Sequence, residues 1–372
     1  MRVLVAMSGG VDSSVAAARL VDRYGSSRVV GATLKLWGGL SDSGCCSVAD
    51  VEDARRVADQ LGLVHHVFNF AAEFEERVVE PYVRGHAEGR TPNPCIECNR
   101  HLKFDRLFQR ARALGFDAVA TGHHARCVPT PDGRYRLCRG ADPLKDQSYV
   151  LAMLGQPQLA RTLFPVGEMT KAQVRAEAHR LGLRTATKPD SQDVCFIRSD
   201  EGRQGFLADR VALHPGRLVD HLSGEEVGSV EAVELVTVGQ RRGMGHGRDG
   251  RRRFVTAVDV PLRRVTVGPP EAATAEEVRL HTVTWVDGAP DVDREPDVDR
   301  DPPATGGSGP GDTEALAQCS AHGRAVPCRL RRVPEGLVVT FGEPQRRIAP
   351  GQTVALYDPS RPEAVLGSGI AV

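Results

Sequence analysis

The residues best suited to chemistry fall in three short stretches. The first is Ser8-Gly9-Gly10-Val11-Asp12-Ser13-Ser14, which follows an apolar run, Val3 to Ala6, and opens a segment with helical spacing. Glycines let backbone N–H groups approach phosphate oxygens, the hydroxyls of Ser8, Ser13 and Ser14 add donors, and a helix N-terminus favours an anion. A phosphate-holding loop is expected, although it has neither the GK[ST] of a Walker loop nor the GxGxxG of a dinucleotide fold. The second stretch is Thr91-Pro92-Asn93-Pro94-Cys95-Ile96-Glu97-Cys98-Asn99. Two prolines stiffen it, and Cys98 is expected at the start of a helix, where the dipole lowers a thiol pKa below its usual value of about 8.5. Taken alone, Cys95-x-x-Cys98 suits a nucleophile, half of a zinc site or a redox pair. The third stretch, Pro189-Asp190-Ser191-Gln192-Asp193-Val194-Cys195-Phe196, lies much further along, and spacing alone does not bring Cys195 to Cys98.

The elements that must position these residues alternate in the first half of the chain. Strand-like runs at 3–6, 29–36, 65–70 and 117–121 alternate with helical patterns at 13–24, 48–62 and 172–181. That order predicts an α/β domain with a doubly wound parallel sheet over residues 1–202. In the second helical pattern Val51, Ala54, Ala58 and Leu61 repeat at helical spacing, with Ser47 as N-cap and Gly62 as stop. Beyond residue 202 short β-rich runs at 235–238, 254–258, 264–267, 278–285, 328–333, 337–341 and 353–357 are punctuated by glycine. They predict a small central β-rich domain over 203–273 and a C-terminal β-barrel domain over 274–372. Residues 287–312, rich in Asp, Pro and Gly, have little to bury and are expected to form a disordered loop.

Composition narrows the class. At 372 residues the chain exceeds what one core usually organises. No run approaches the roughly 20 apolar residues that span a bilayer, and the first residues show no secretory pattern, so a cytoplasmic protein without a membrane partner is expected. Nine cysteines, an odd number, favour reactive or ligating thiols over a disulfide framework. The net charge is zero, but seven acids against two arginines within 287–301 leave the rest of the chain basic. Arginines gather at Arg241, Arg242, Arg248, Arg251, Arg252 and Arg253; such a cluster suits either phosphates or a solvated face.

The loop at 8–14 resembles the PP-loop of ATP pyrophosphatases. With Ala120 to Arg126 (ATGHHAR), Lys145 to Tyr149 (KDQSY), the cysteine stretches, Thr237 to Gly243 (TVGQRRG) and Pro350 to Gln352, the whole chain outside the acidic loop resembles the tRNA-specific 2-thiouridylase family. The resemblance implies a sulfurtransferase, a tRNA-uridine 2-sulfurtransferase that adenylates the wobble uridine with ATP and Mg²⁺. It implies ATP contacts at Ala6, Met7, Ser8, Gly9, Gly10, Val11, Asp12, Ser13, Leu34 and Gly122, with Asp12 orienting the loop or helping to hold Mg²⁺. It implies target-base contacts at Asn93, Pro94 and Cys95, and tRNA contacts at His123, Lys145, Asp146, Gln147 and Gln352. Ser320 and Ala321 stand where the family usually has an arginine and an aromatic, with Arg324 nearby as a substitute. Cys195 would carry a persulfide from a sulfur-relay protein or cysteine desulfurase, and Cys98 would act as nucleophile and close a transient Cys98–Cys195 disulfide. A [4Fe–4S] cluster on Cys95, Cys98 and Cys195 is the alternative sulfur route. Another PP-loop tRNA-modifying enzyme, or a non-catalytic tRNA-binding or iron–sulfur protein, is the rival reading. Cys45, Cys46, Cys127, Cys138, Cys319 and Cys328 are expected to be structural.

Overall fold

A computed structural model describes residues 1–37, 48–190, 194–197, 200–247, 249–288 and 313–372. Ser47, Cys45, Cys46, Arg248 and all but the first two residues of the acidic loop lie outside that set, and the expectations placed on them go with them. The chain packs as two units. One holds residues 1–81, 94–206 and 363–365, and the other holds residues 82–93, 207–362 and 366–372.

The first unit is built on five strands: β1 (Val3–Ala6), β2 (Val29–Lys35), β3 (Val64–Asn69), β4 (Ala118–Ala120) and, after a hairpin of β5 (Ala125–Pro129) and β6 (Tyr135–Arg139), β7 (Thr162–Leu163). The sheet order is β3-β2-β1-β4-β7, and every pairing is parallel. The chain winds from β1 out to β3 on one side and then returns to start β4 on the other. The strand order therefore reverses between β1 and β4, and ligands in open α/β sheets bind outside the carboxyl ends of the strands at such a point.

Helix α1 (Val11–Tyr24) follows β1 directly. Its alanines favour helix, and Val11, Val15 and Leu20 are buried. Together with Val3 and Val5 of β1, and with Val57 and Ala58 of helix α2 (Val48–Gln60), they form the core. Burial of each such aliphatic side chain contributes about 1.5–3 kcal/mol. Gly25 ends α1 at φ +79°, with its N–H on the Val21 carbonyl at 2.8 Å, a conformation that costs glycine nothing. The expected elements at 29–36, 48–62, 65–70, 117–121 and 172–181 are present with shifted ends.

In the second unit β8 (Gly216–Asp220), β9 (Glu226–Val230), β10 (Phe254–Asp259) and β11 (Arg264–Gly268) make a four-stranded sheet with its own core, which includes Val233, Val255 and Val265. The strand expected at 235–238 is instead the end of a short 3-10 turn, Val233–Leu235, and a loop, because the motif that follows needs positive φ at Gly239 and Gly243. Six further strands close on themselves in the order β12-β15-β14-β13-β16-β17: β12 (Thr274–Trp285), β13 (Thr313–Gln318), β14 (Val326–Val333), β15 (Gly336–Arg346), β16 (Thr353–Asp358) and β17 (Arg361–Ala371). The closing pair is β12–β17, and Leu280, Leu330, Val339 and Leu356 fill the interior. Among the described residues no helix is long and apolar enough to cross a membrane.

Candidate active site

The loop after β1 is shaped for close backbone approach. Gly9 holds φ +74°, and a Cβ there would lie 2.2 Å from the Asp50 carbonyl oxygen. From the end of β4, Gly122 comes so near α1 that a Cβ would lie 2.6 Å from the Ser13 nitrogen. The two loops at the switch point therefore abut through a position only glycine fills. Ser13 and Ser14 are buried and their hydroxyls donate to the Gly10 carbonyl at 3.1 and 2.9 Å. Those protons shape the loop; Ser8 is the exposed hydroxyl. Thr33 donates to the Met7 carbonyl at 2.7 Å, so its oxygen accepts from His65 Nε2 at 2.9 Å and the imidazole fixes the loop's first residue. Leu34, on β2, is buried.

Asp12 is the charged centre of this site. Its carboxylate accepts from Lys171 Nζ at 2.9 and 2.8 Å and from His124 Nε2 at 3.1 Å. Burial opposes its ionisation, but the hydrogen bonds from His124 and Lys171 win and hold the carboxyl below the usual carboxylate range. Lys171 also meets Asp190 at 2.8 Å, and Asp190 accepts from Lys145 and Arg175, each at 2.8 Å. Burial again opposes charge at Asp190, and the lysine partners overcome it. Lys188, beside Asp190, pairs with Asp50 and Asp53 of α2 at 2.6 and 2.8 Å.

Several expected tRNA contacts have structural duties here. His123 is 8% exposed, packed between Phe104 and Phe164, with Nδ1 2.7 Å from the Thr121 hydroxyl. Burial pushes its imidazole well below the ordinary histidine value, so the ring is neutral. Asp146 accepts from Arg139, the Ser148 hydroxyl and the backbone N–H groups of Gly140 and Ser148. Gln147 exchanges hydrogen bonds with the backbone of His124 at 2.9 Å each way. Lys145 remains exposed although it is paired.

Cys98 is not at a helix start. The helix begins at Pro94, a residue suited to a first turn, and Cys98 opens the π-helical stretch Cys98–Arg106 that continues it. The dipole's effect fades within the first turn, so the expected aid to the thiol is reduced, although π-helical insertions recur at functional sites. Cys98 is buried, while Cys95 and Cys195 are half-buried. Val194, just before Cys195, holds φ +55°, a left-handed conformation that a β-branched residue rarely adopts. Phe196, just after it, packs into a cluster with Trp37, Phe74 and Phe206. The rest of that motif, 191–193, lies outside the described residues. No three His, Cys, Asp or Glu side chains among the described residues gather to share a metal ion.

In the second unit Gln240 anchors its motif. Its backbone N–H donates to the Thr237 carbonyl and its side chain to that of Arg242, each at 3.0 Å, which leaves Arg241 and Arg242 exposed. Gln352 donates to the Thr91 carbonyl, so Pro350-Gly351-Gln352 clamps the approach to Asn93. Ser320 and Ala321 form an exposed turn held by the Gln318 amide.

Lys171 is the functional candidate that motif reading missed. Its one local signal was the capping box of Thr170 and Gln173 around it.

Family models match nearly all of the chain: one described as tRNA methyl transferase HUP domain over residues 1–199, one as tRNA methyl transferase PRC-barrel domain over 204–269, and one as aminomethyltransferase beta-barrel domain over 276–371. The chain is 45% identical to the tRNA-specific 2-thiouridylase MnmA of Roseiflexus castenholzii over 99% of its length and 98% of that protein's. It is 44% identical to the protein of that name from Chloroflexus aggregans, over 99% and 97%, and 43% identical to that from Streptomyces coelicolor, over 99% and 94%. On this full-length likeness, the chain belongs to the tRNA-specific 2-thiouridylase family.

Proposed function

We propose that this chain is an ATP-dependent tRNA-uridine 2-sulfurtransferase that replaces O2 of the wobble uridine with sulfur. The observation that carries the reading is that one unit holds both a close-packed phosphate loop at a topological switch point and the two motif thiols. C2 of uridine is a urea-like carbonyl and a poor electrophile. O2 attacks the α-phosphorus of ATP, pyrophosphate leaves with the bonding pair, and the N3 proton is released, which turns O2 into part of a leaving group. The terminal sulfur of a Cys195 persulfide then bonds C2 as AMP departs. Cys98 attacks the Cys195 sulfur, which closes a Cys98–Cys195 disulfide and leaves the thiocarbonyl on the base. An external thiol reductant reopens the disulfide, and a sulfur-relay protein or cysteine desulfurase reloads Cys195.

Gly9, Gly10, Ser8 and Gly122 with their neighbours Ala6, Met7, Val11, Ser13 and Leu34 hold ATP. Mg²⁺ arriving with ATP keeps water and phosphate ligands and needs few from the protein; Asp12 is the loop residue that would hold it. The ion would neutralise developing charge on pyrophosphate. Cys95, Cys98 and Cys195 do not gather into a ligand group among the described residues, which does not fit a cluster on them. Methyl transfer, the activity in two family-model descriptions, requires neither cleavage of ATP at the acceptor nor a second thiol. Residues Asn93, Pro94 and Cys95 face the base in this reading. Lys145, Arg241, Arg242 and the turn at Ser320 and Ala321 supply the exposed tRNA contacts, with the arginines neutralising phosphates. Domain limits of 1–202, 203–273 and 274–372, and action in the cytoplasm, belong to the same reading.

The test uses purified chain, tRNA, ATP and a persulfide donor, with AMP and 2-thiouridine measured separately. Asp12→Ala is expected to abolish AMP formation with the fold intact. Cys98→Ser and Cys195→Ser should each stop thiolation, with AMP formation surviving in at least one. Normal thiolation by both cysteine variants would refute the sulfur route.

A further inference from the structure

A loop that releases pyrophosphate needs positive charge at the leaving group, and Ser8 to Ser14 contains no lysine or arginine. Lys171, 159 positions away, brings Nζ to 2.8 Å from the Asp12 carboxylate, at the second residue of α1. It is therefore one hydrogen bond from a residue at the N-terminus of α1, where an anion is favoured.

Two features argue against a merely structural tie. Lys171 is the first residue of the helix Lys171–Arg180, where a cation opposes the helix dipole. That helix start is already fixed by the capping box of Thr170 and Gln173, and by the Lys171 backbone N–H on Asp142 at 2.8 Å. The side chain is only 13% exposed and bridges Asp12 and Asp190, each at 2.8 Å, so it can leave one carboxylate while keeping the other.

We propose that Lys171 binds the pyrophosphate portion of ATP, exchanging a carboxylate partner for phosphate oxygens and stabilising the leaving group as the bond to the α-phosphorus breaks. This rests on the adenylation reading above. The exchange leaves Asp190, which shares Lys171 with Asp12, held by Lys145 and Arg175.

Calorimetric titration of the full chain with Mg·ATP, inorganic pyrophosphate and AMP tests it. Lys171→Met is expected to weaken ATP and pyrophosphate about 10- to 100-fold, as for loss of one charge-assisted hydrogen bond, with AMP affinity nearly unchanged. Lys171→Arg should recover most of the loss. Asp190→Asn removes a competing carboxylate and should bind ATP at least as tightly as wild type. The proposal is overturned if Lys171→Met binds pyrophosphate like wild type, or if Lys171→Met and Asp190→Asn lose ATP and AMP alike, the pattern of a structural ion pair. Wild type that binds no ATP would bring down the adenylation reading and this assignment with it, whereas a loss confined to the variants leaves that reading intact.

Discussion

Gly122→Ala is the smallest change that should separate the two loops at the switch point. The added methyl would sit 2.6 Å from the Ser13 nitrogen, 2.8 Å from the Asp12 carbonyl carbon and 2.9 Å from the Ser13 Cα. All three are backbone atoms at the first turn of α1, so no side chain can swing away. Ordinary contact begins near 3.4 Å, and the loop or the helix end must shift by most of an ångström. Overpacking of this kind costs about 1–3 kcal/mol. Against it stands about 0.4–1 kcal/mol from the stiffer unfolded chain, so the net destabilisation is on the order of 1–2 kcal/mol. For a unit of this size that lowers the melting temperature by roughly 2–8 °C. Misplacing reacting groups by about 1 Å can cost about 100-fold in rate, so tRNA-dependent AMP formation should fall by about that factor. Scanning calorimetry and an AMP assay on the same preparation check both numbers. Wild-type melting and wild-type AMP formation would show that Gly122 does not abut Ser13.

Two more outcomes follow from the thiols and the backbone beside them. Burial, then the neighbouring Cys138, pushes the Cys127 thiol up to about 12; burial, then Cys319, does the same to Cys328; and burial raises Cys319 to about 11. At pH 8 their thiolate fractions are about one in a thousand or less, so mass-mapped iodoacetamide labelling should reach them last, and early labelling of Cys127 or Cys328 would contradict their burial. Val194→Gly relieves about 1–2 kcal/mol of left-handed strain and returns up to about 1 kcal/mol of chain entropy, so the melting temperature should hold or rise. A fall of several degrees would place Val194 outside the left-handed region.

The sequence carried the architecture of the first unit because its signals were local: apolar runs, helical spacing and punctuating glycines. The phosphate loop was legible for the same reason, since glycine and serine report the backbone shape around them. Tertiary partners were not. Ser13 and Ser14 look like phosphate donors until their hydroxyls are found on Gly10. Asp146 and Gln352 read as surface contacts, yet their polar atoms are engaged by backbone groups of their own unit. The two prolines before Cys98 suggest a helix starting near it, but Pro94 itself supplies the first turn. Lys171 was invisible because its partners are 159 and 19 positions away, a relation that periodicity does not encode. In the second unit the strand expected at 235–238 gave way to a loop, since Gly239 and Gly243 impose positive φ that β-propensity at Val236 and Val238 does not override.

The measurement closest to the central claim is nucleoside mass spectrometry of tRNA from a strain lacking this gene and carrying plasmid copies of it. 2-Thiouridine derivatives are expected to vanish in the deletion, return with the wild-type copy, and stay absent with Cys98→Ser or Cys195→Ser. Undiminished 2-thiouridine in the deletion strain, or its full return with either cysteine variant, would contradict that claim.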